Sequence, residues 1–227
     1  MIEEEKMTLI CNQLNAKSNL KILTYSQTKN AFEMLKKEAN AFPETFKSLF
    51  PESEVIVKFE TKQNQCFNLQ YGSDVLFCYL HSNIFEFNRD HEVMKTPYIR
   101  ENKDRSFCGV ISIYNFLTDS VLFDRLNDSG YLIGRIFINC EAHCYIDGKR
   151  EVGQIYSNFS STIFDENIAK NIIESALLYT INFDLLVPPY EMMKELTVHE
   201  MIELNNQHNL IKTAKRLGFR FQADTKD

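Results

Sequence analysis

The chain has 227 residues, 44% of them hydrophobic and 25% charged. That balance is ordinary for a globular protein and excludes a disordered, collagen-like or fibrous chain, and a domain of this length buries enough surface to hold a core without metal or disulfide staples. With 25 Lys and Arg against 31 Asp and Glu the formal net charge is −6, which opposes wholesale attraction to nucleic-acid phosphates or anionic lipid and leaves such roles to a local basic patch.

Ile2, Met7, Ile10, Cys11 and Leu14 fall on a rough helical stripe and predict a short first helix. A second helix is predicted from Ser26 as its N-cap, because Phe32, Leu35, Ala39, Phe42, Phe46 and Leu49 recur every three or four residues; Pro43 should kink or split it. A β-rich middle follows Pro51. Val55, Val57 and Phe59 alternate with Ile56 and Lys58, the polar stretch from Thr61 to Gln65 turns, and Cys66 to Tyr71 returns as the second strand of a hairpin. Gly72-Ser73-Asp74 turns into Val75 to Leu80, an apolar run of the kind covered on both faces, which Ile84 to Phe87 can extend. Residues 88–106 are charged and carry Pro97, which predicts a long surface loop.

Phe107 to Phe116 is another buried strand by composition. Asp119 caps a short helix bearing Val121, Leu122 and Leu126, and Asn127 to Gly130 forms a turn. Tyr131 to Cys140 resumes the sheet. Asp147-Gly148 predicts a tight type I′ hairpin turn, because that turn needs positive φ, and Val152 to Phe159 is expected to complete the meander. From Asp165 the spacing changes to helix, with Ile168, Ile172, Ala176 and Tyr179 on one face and Ile173, Leu177 and Leu178 widening it. After Pro188-Pro189, Thr197-x-x-Glu200 forms a capping box and Leu210, Ile211, Ala214 and Leu217 a second stripe, closed by Gly218; together they predict a C-terminal αα-hairpin. This segregation predicts an α+β fold, a mostly antiparallel sheet of about six or seven strands covered by helices. Residues 1–187 would form the core and 188–227 a helical hairpin packed on it.

Three acids in succession after Ile2, with no apolar run behind them, do not make a secretory signal. No apolar stretch reaches the roughly 18 residues a membrane span needs, since Leu177 to Val187 is interrupted by Thr180, Asn182 and Asp184. A soluble, cytoplasmic protein is expected. Cys11, Cys66, Cys78, Cys108, Cys140 and Cys144 mostly lie in apolar runs, where free thiols act as small hydrophobes, and no disulfide framework is expected.

Arg135 is the leading candidate for function. Alternation places Arg135 and Asn139 on one face of a strand whose other face reads Leu132, Gly134, Ile136, Ile138 and Cys140. A guanidinium there needs a partner, and Asp119, Asp124 and Asp128 are near in sequence. In the functional version it forks onto a carboxylate or phosphate, with Asn139, Tyr114 or Asn115 adding hydrogen bonds. His81, Asp90 and His91 sit at a strand exit and the start of the loop, where an acid/base pair or metal ligands can be built. Cys140, His143 and Cys144 have the ligand chemistry of zinc, but on an extended strand the two thiols lie roughly 13 Å apart, too far for one ion. Completion by Cys78, His81 or Cys108 would be needed, so no metal or cofactor is assigned. Glu60-Thr-Lys62, with Glu52, is similar to half of a metal-dependent nuclease core, and His208, Lys212, Lys215, Arg216 and Arg220 make one side of the terminal hairpin basic.

No glycine-rich phosphate loop, Gly-x-Ser-x-Gly elbow or His-Glu-x-x-His pair occurs, and no catalytic residue is assigned. The order of elements is similar to that of small-molecule sensor domains such as GAF and PAS, a likeness no residue motif carries further. The expected function is therefore a non-enzymatic binding protein that recognises a small anionic ligand or a protein partner through the sheet face and the 88–106 loop. A metal-dependent hydrolase or nuclease is one alternative. DNA binding by the C-terminal helices is another, which the net charge disfavours.

Overall fold

The computed structural model describes residues 2–126, 128–148, 152, 158–183, 187, 189–195 and 198. Its first element corrects the expectation of two helices: Ile2–Leu49 is a single 48-residue helix, α1, running through both Ser26 and Pro43. At 1.5 Å per residue it spans roughly 72 Å. Ser26 is exposed in mid-helix, and the threonine hydroxyls on either side of it bond within the helix. Thr24 Oγ1 donates to the Leu20 carbonyl at 2.8 Å and Thr28 Oγ1 to the Thr24 carbonyl at 2.7 Å, so both threonines are buried with their donors paired. Pro43 lies less than two turns from the end of the helix, where Asn40, Ala41, Glu44 and Thr45 are exposed, and water can replace the one backbone bond that proline forfeits.

β1 (Val57–Gln63) and β2 (Cys66–Tyr71) form the predicted hairpin. Gly72, at φ +57°, supplies the left-handed residue that turns the chain into β3 (Asp74–Leu80). β4 (Phe85–Glu86), β5 (Phe107–Leu117), β6 (Tyr131–Asn139) and β7 (Cys144–Gly148) complete a seven-stranded sheet in the order β1-β2-β3-β5-β6-β7, every pairing antiparallel, with β4 on the start of β5. The short helix α3 (Thr118–Leu122) follows β5.

The helix of the C-terminal half, α4 (Glu166–Ile181), begins at Asp165, whose Oδ1 accepts from Ile168 N at 2.8 Å, and buries Ile168, Ala169, Ile172, Ile173, Ala176 and Leu177. It packs beside α1, with Lys37 and Glu166 paired at 2.7 Å. Both helices cover one face of the sheet, enclosing Phe32, Leu35, Leu69, Leu76, Ile111 and Ile136 in one core. This is the α+β, antiparallel architecture that the order of elements predicts.

Two local expectations are corrected. The type I′ turn expected at Asp147-Gly148, leading on to residues 152–159, does not form there: both residues lie in β7 and neither has positive φ. The β6–β7 turn falls at residues 140–143. Asn139 closes it, its Oδ1 accepting from the Glu141 and His143 amides at 3.0 and 2.9 Å, with Ala142 at φ +60°. Gly148 instead lies in the strand beside Gly134, where a Cβ would stand 3.0 Å from the Ile133 carbonyl and 3.3 Å from Val152 Cγ1. Its glycine serves closeness, not a turn.

Residues 88–106 are not an open loop. They form a 3₁₀ turn (Glu92–Lys95), the short helix α2 (Pro97–Glu101) and another 3₁₀ turn (Lys103–Ser106), folded over a second core of Phe87, Val93, Ile99, Cys108 and Phe159. The strand expected over Val152 to Phe159 lies mostly outside the described residues. So does the terminal hairpin with the 188–227 unit, of which α5 (Tyr190–Met193) is the one described helix.

Candidate functional site

Register across the sheet decides which side chains meet on the face opposite α1 and α4. Tyr79 pairs with Ser112, Ser112 with Arg135, and Arg135 with Asp147, so one row crosses β3, β5, β6 and β7. On one side of that row Phe77 lies opposite Tyr114; on the other, Val110 lies opposite Phe137 and Phe137 opposite Tyr145. Phe77, Tyr79, His81, Tyr114 and Phe137 are half-buried. Three of these rings form a chain of contacts: Phe77 stacks on Tyr79 with centroids 6.4 Å apart, and Tyr79 meets His81 edge-on at 4.7 Å. Side chains of β3 and β5 at alternate positions, such as Leu76, Cys78, Ile111 and Ile113, point into the helix-covered core.

Both ends of this open face are closed. At one end Gly130 packs on Phe116, so tightly that a Cβ there would stand 2.2 Å from the ring. At the other end the 88–106 segment is clamped to the β6–β7 turn. Arg105 lies over the Tyr98 ring at 4.3 Å, its Nε donates to Glu141 Oε1 at 2.9 Å, and Tyr98 Oη donates to Glu141 Oε2 at 2.8 Å. His143 also stacks on Tyr98, at 4.9 Å, and donates from Nδ1 to the Phe159 carbonyl at 3.1 Å. Partial burial pushes the Glu141 carboxyl up, but the hydrogen bonds from Arg105 and Tyr98 and the Arg105 charge outweigh it and hold its pKa below the usual range.

Arg135 is not a buried cation. Its side chain is 46% exposed, and its partner is Asp147, 49% exposed and directly across from it on β7; this corrects the choice among Asp119, Asp124 and Asp128. The guanidinium also sits 5.4 Å from the Phe137 ring centroid. Beside it in the row, Ser112 is buried and its Oγ is 3.3 Å from His81 Nε2. Burial lowers the His81 pKa from its ordinary value, which leaves the ring largely uncharged at neutral pH.

Of the residues singled out from sequence, Arg135, Tyr114 and His81 share this face. Asn115 does not: it pairs with Leu76, is buried, and donates to Asp74 Oδ1 at 2.8 Å. Asn139 is buried beneath the clamp, its Nδ2 donating to Tyr98 Oη at 2.9 Å. His91 caps the first 3₁₀ turn, its Nδ1 accepting from Val93 N at 3.2 Å, and lies against Phe87. Asp90 is exposed. Tyr79 and Phe77 were not signalled by the sequence, because their alternation is hidden in a run of apolar neighbours.

Among the described residues no group of three or more His, Cys, Asp and Glu is placed to hold a metal ion. Cys140 and Cys144 flank a turn, and burial pushes the Cys144 thiol up to about 12 and raises Cys78, Cys108 and Cys140 as well, which disfavours the thiolates that metal binding or nucleophilic attack needs. Glu60 pairs with Lys58 on β1, and Glu52 is exposed. The basic residues from His208 to Arg220 lie outside the described residues. Among the described residues no helix is long and apolar enough to cross a membrane. No protein-family model, curated protein or solved structure matches this chain.

Proposed function

We propose that this chain is a non-enzymatic binding protein whose open sheet face takes a small ligand, flat and apolar along its body and carrying a carboxylate or phosphate at one end. The observation that carries this is the row of Tyr79, Ser112, Arg135 and Asp147 bordered by half-buried aromatic rings. Aromatic side chains supply large contact area with a preferred stacking geometry. A guanidinium matches the fork of a carboxylate or phosphate. The pair that now occupies Arg135 is about half exposed; such pairs contribute about 0–1 kcal/mol, so an incoming anion can displace Asp147 at little cost. Ser112 and an uncharged His81 add neutral hydrogen-bonding groups beside the cation. A cytoplasmic location is part of the proposal, supported by six cysteines that are all free.

The test is a thermal-shift series on the full chain with nucleoside monophosphates and aromatic carboxylates as probes. One class should raise the melting temperature, since a ligand at 100 times its Kd stabilises by about 2.7 kcal/mol. Arg135→Ala and Tyr79→Ala should abolish the shift. Arg100→Ala, at an exposed position on α2, should leave it unchanged. Asp147→Asn should tighten binding by up to about five-fold, because it removes a competitor worth about 1 kcal/mol or less. A panel without any shift, or a shift that survives Arg135→Ala, ends the anionic-ligand reading.

A further inference from the structure

We infer that the N-terminal arm of α1 pairs two copies of this chain as an antiparallel helical dimer. Residues 5–17 of the helix are all exposed, yet Met7, Ile10 and Leu14 on that arm are 61%, 48% and 65% exposed apolar side chains. These three share one stripe, while Leu9, 56% exposed, lies off it. Positions 3, 7, 10, 14, 17, 21, 24, 28, 31 and 35 follow alternating steps of four and three, the repeat that keeps one seam of a helix facing a partner helix. The later part of that seam, Thr24, Thr28, Ala31 and Leu35, lies on the sheet with each residue 3% exposed or less. The earlier part continues the same stripe past the body, beginning where Lys17 Nζ stands 5.6 Å from the Phe107 ring centroid. Among the described residues no other element covers it.

Charge along the seam selects the occupant and its direction. The positions read Glu3, Met7, Ile10, Leu14, Lys17, Lys21, acidic at one end, apolar in the middle and basic at the other. Such a strip is complementary to a reversed copy of itself. Two arms running antiparallel about a point midway between Ile10 and Leu14 set Ile10 against Leu14, Met7 against the aliphatic stem of Lys17, and Glu3 against Lys21, twice over by symmetry. A parallel pair would instead stack Glu3 on Glu3, Lys17 on Lys17 and Lys21 on Lys21. Cys11 is exposed and flanks the seam; antiparallel pairing brings the two Cys11 side chains to the same side of the dimer, whereas parallel pairing puts them on opposite sides.

Sedimentation equilibrium on the full chain tests this. Twice the 26.6 kDa chain mass is expected. It should fall to one chain mass in Leu14→Glu and in Lys21→Glu, and return in the double variant Glu3→Lys/Lys21→Glu, with the circular dichroism of the folded core kept throughout because Leu14 and Lys21 are exposed. In the wild-type chain a short bismaleimide should join Cys11 to Cys11, and Cys11→Ser should remove that link. A wild-type chain that is monomeric at every concentration, a dimer indifferent to Leu14→Glu, a double variant that stays monomeric, or the absence of a Cys11 cross-link each overturns the antiparallel pairing and leaves the stripe to another occupant.

Discussion

At Gly109 the side chain of Thr28 on α1 packs directly onto the backbone of β5. A Cβ at that position would stand 2.1 Å from Thr28 Oγ1 and 2.7 Å from Thr28 Cβ, and Thr28 is fixed by its own bond to the Thr24 carbonyl. Neither side can give way without moving backbone. Gly109→Ala should therefore destabilise the fold by about 1–3 kcal/mol, the cost typical of overpacking, read as a lower urea midpoint at unchanged slope. The sequence discloses little of this. Gly109 sits in an apolar run without a turn signal, and its role depends on a helix residue some eighty positions away. Arg135 shows the same limit: alternation places it on a strand face, but its partner is fixed by cross-strand register with Asp147. Strict alternation also fails at Ile133. The register shifts there, Gly134 pairing with Ile113 and Leu132 with Tyr114, and the bulge turns Ile133 into the main core.

At the scale of elements, strands and helices with dense apolar spacing were legible: β3, β5, β6 and the capped start of α4 stand where the pattern puts them, and the β1–β2 hairpin forms with β1 running on through Gln63, into the stretch expected to turn from Thr61. The 88–106 segment was not, because its anchors Val93, Tyr98 and Ile99 are too sparse among charges to show a period. Those charges do structural work in the clamp. The Glu141 pKa is depressed by Arg105 and Tyr98 against the opposing effect of burial, so near and just below the ordinary glutamate value of about 4.3 the unfolded chain binds more protons than the folded one. The contribution of the clamp is present above that value and is lost as pH falls through the depressed folded pKa. Wild type should lose more stability than Glu141→Gln as pH drops from about 5 to about 3. The excess should stay below about 1 kcal/mol, since the glutamate side chain is 38% exposed. Chemical denaturation at stepped pH reads it, and parallel losses in the two proteins would mean that the glutamate charge does not hold the segment down.

For the molecule as a whole, one helix belongs to two environments. The segregation of helix and strand patterns disclosed the two layers, yet Ser26 and Pro43 disguised the continuity of α1, because a residue type that favours an end does not impose one when tertiary packing favours continuation. Burial of Thr24, Phe32, Leu35 and Ala39 against the sheet meets the cost of nucleating the helix, and the arm then propagates one backbone bond per residue. Propagation alone leaves a helix of this length marginal in water, so the arm owes its lasting order to whatever covers its seam. Hydrogen exchange should separate the two regimes. Amides of residues 24–39 should be protected to the same degree at every protein concentration, because their cover is intramolecular. Amides of residues 5–17 should exchange fast in dilute solution and slow as concentration rises, because mass action fills the dimer. Deleting residues 2–16 should leave the protection of the core unchanged, since the deleted residues from 5 onward bury nothing on the sheet. Arm amides that exchange fast at every concentration would show that its stripe meets only water, and uniform strong protection in dilute solution would assign its cover to its own chain.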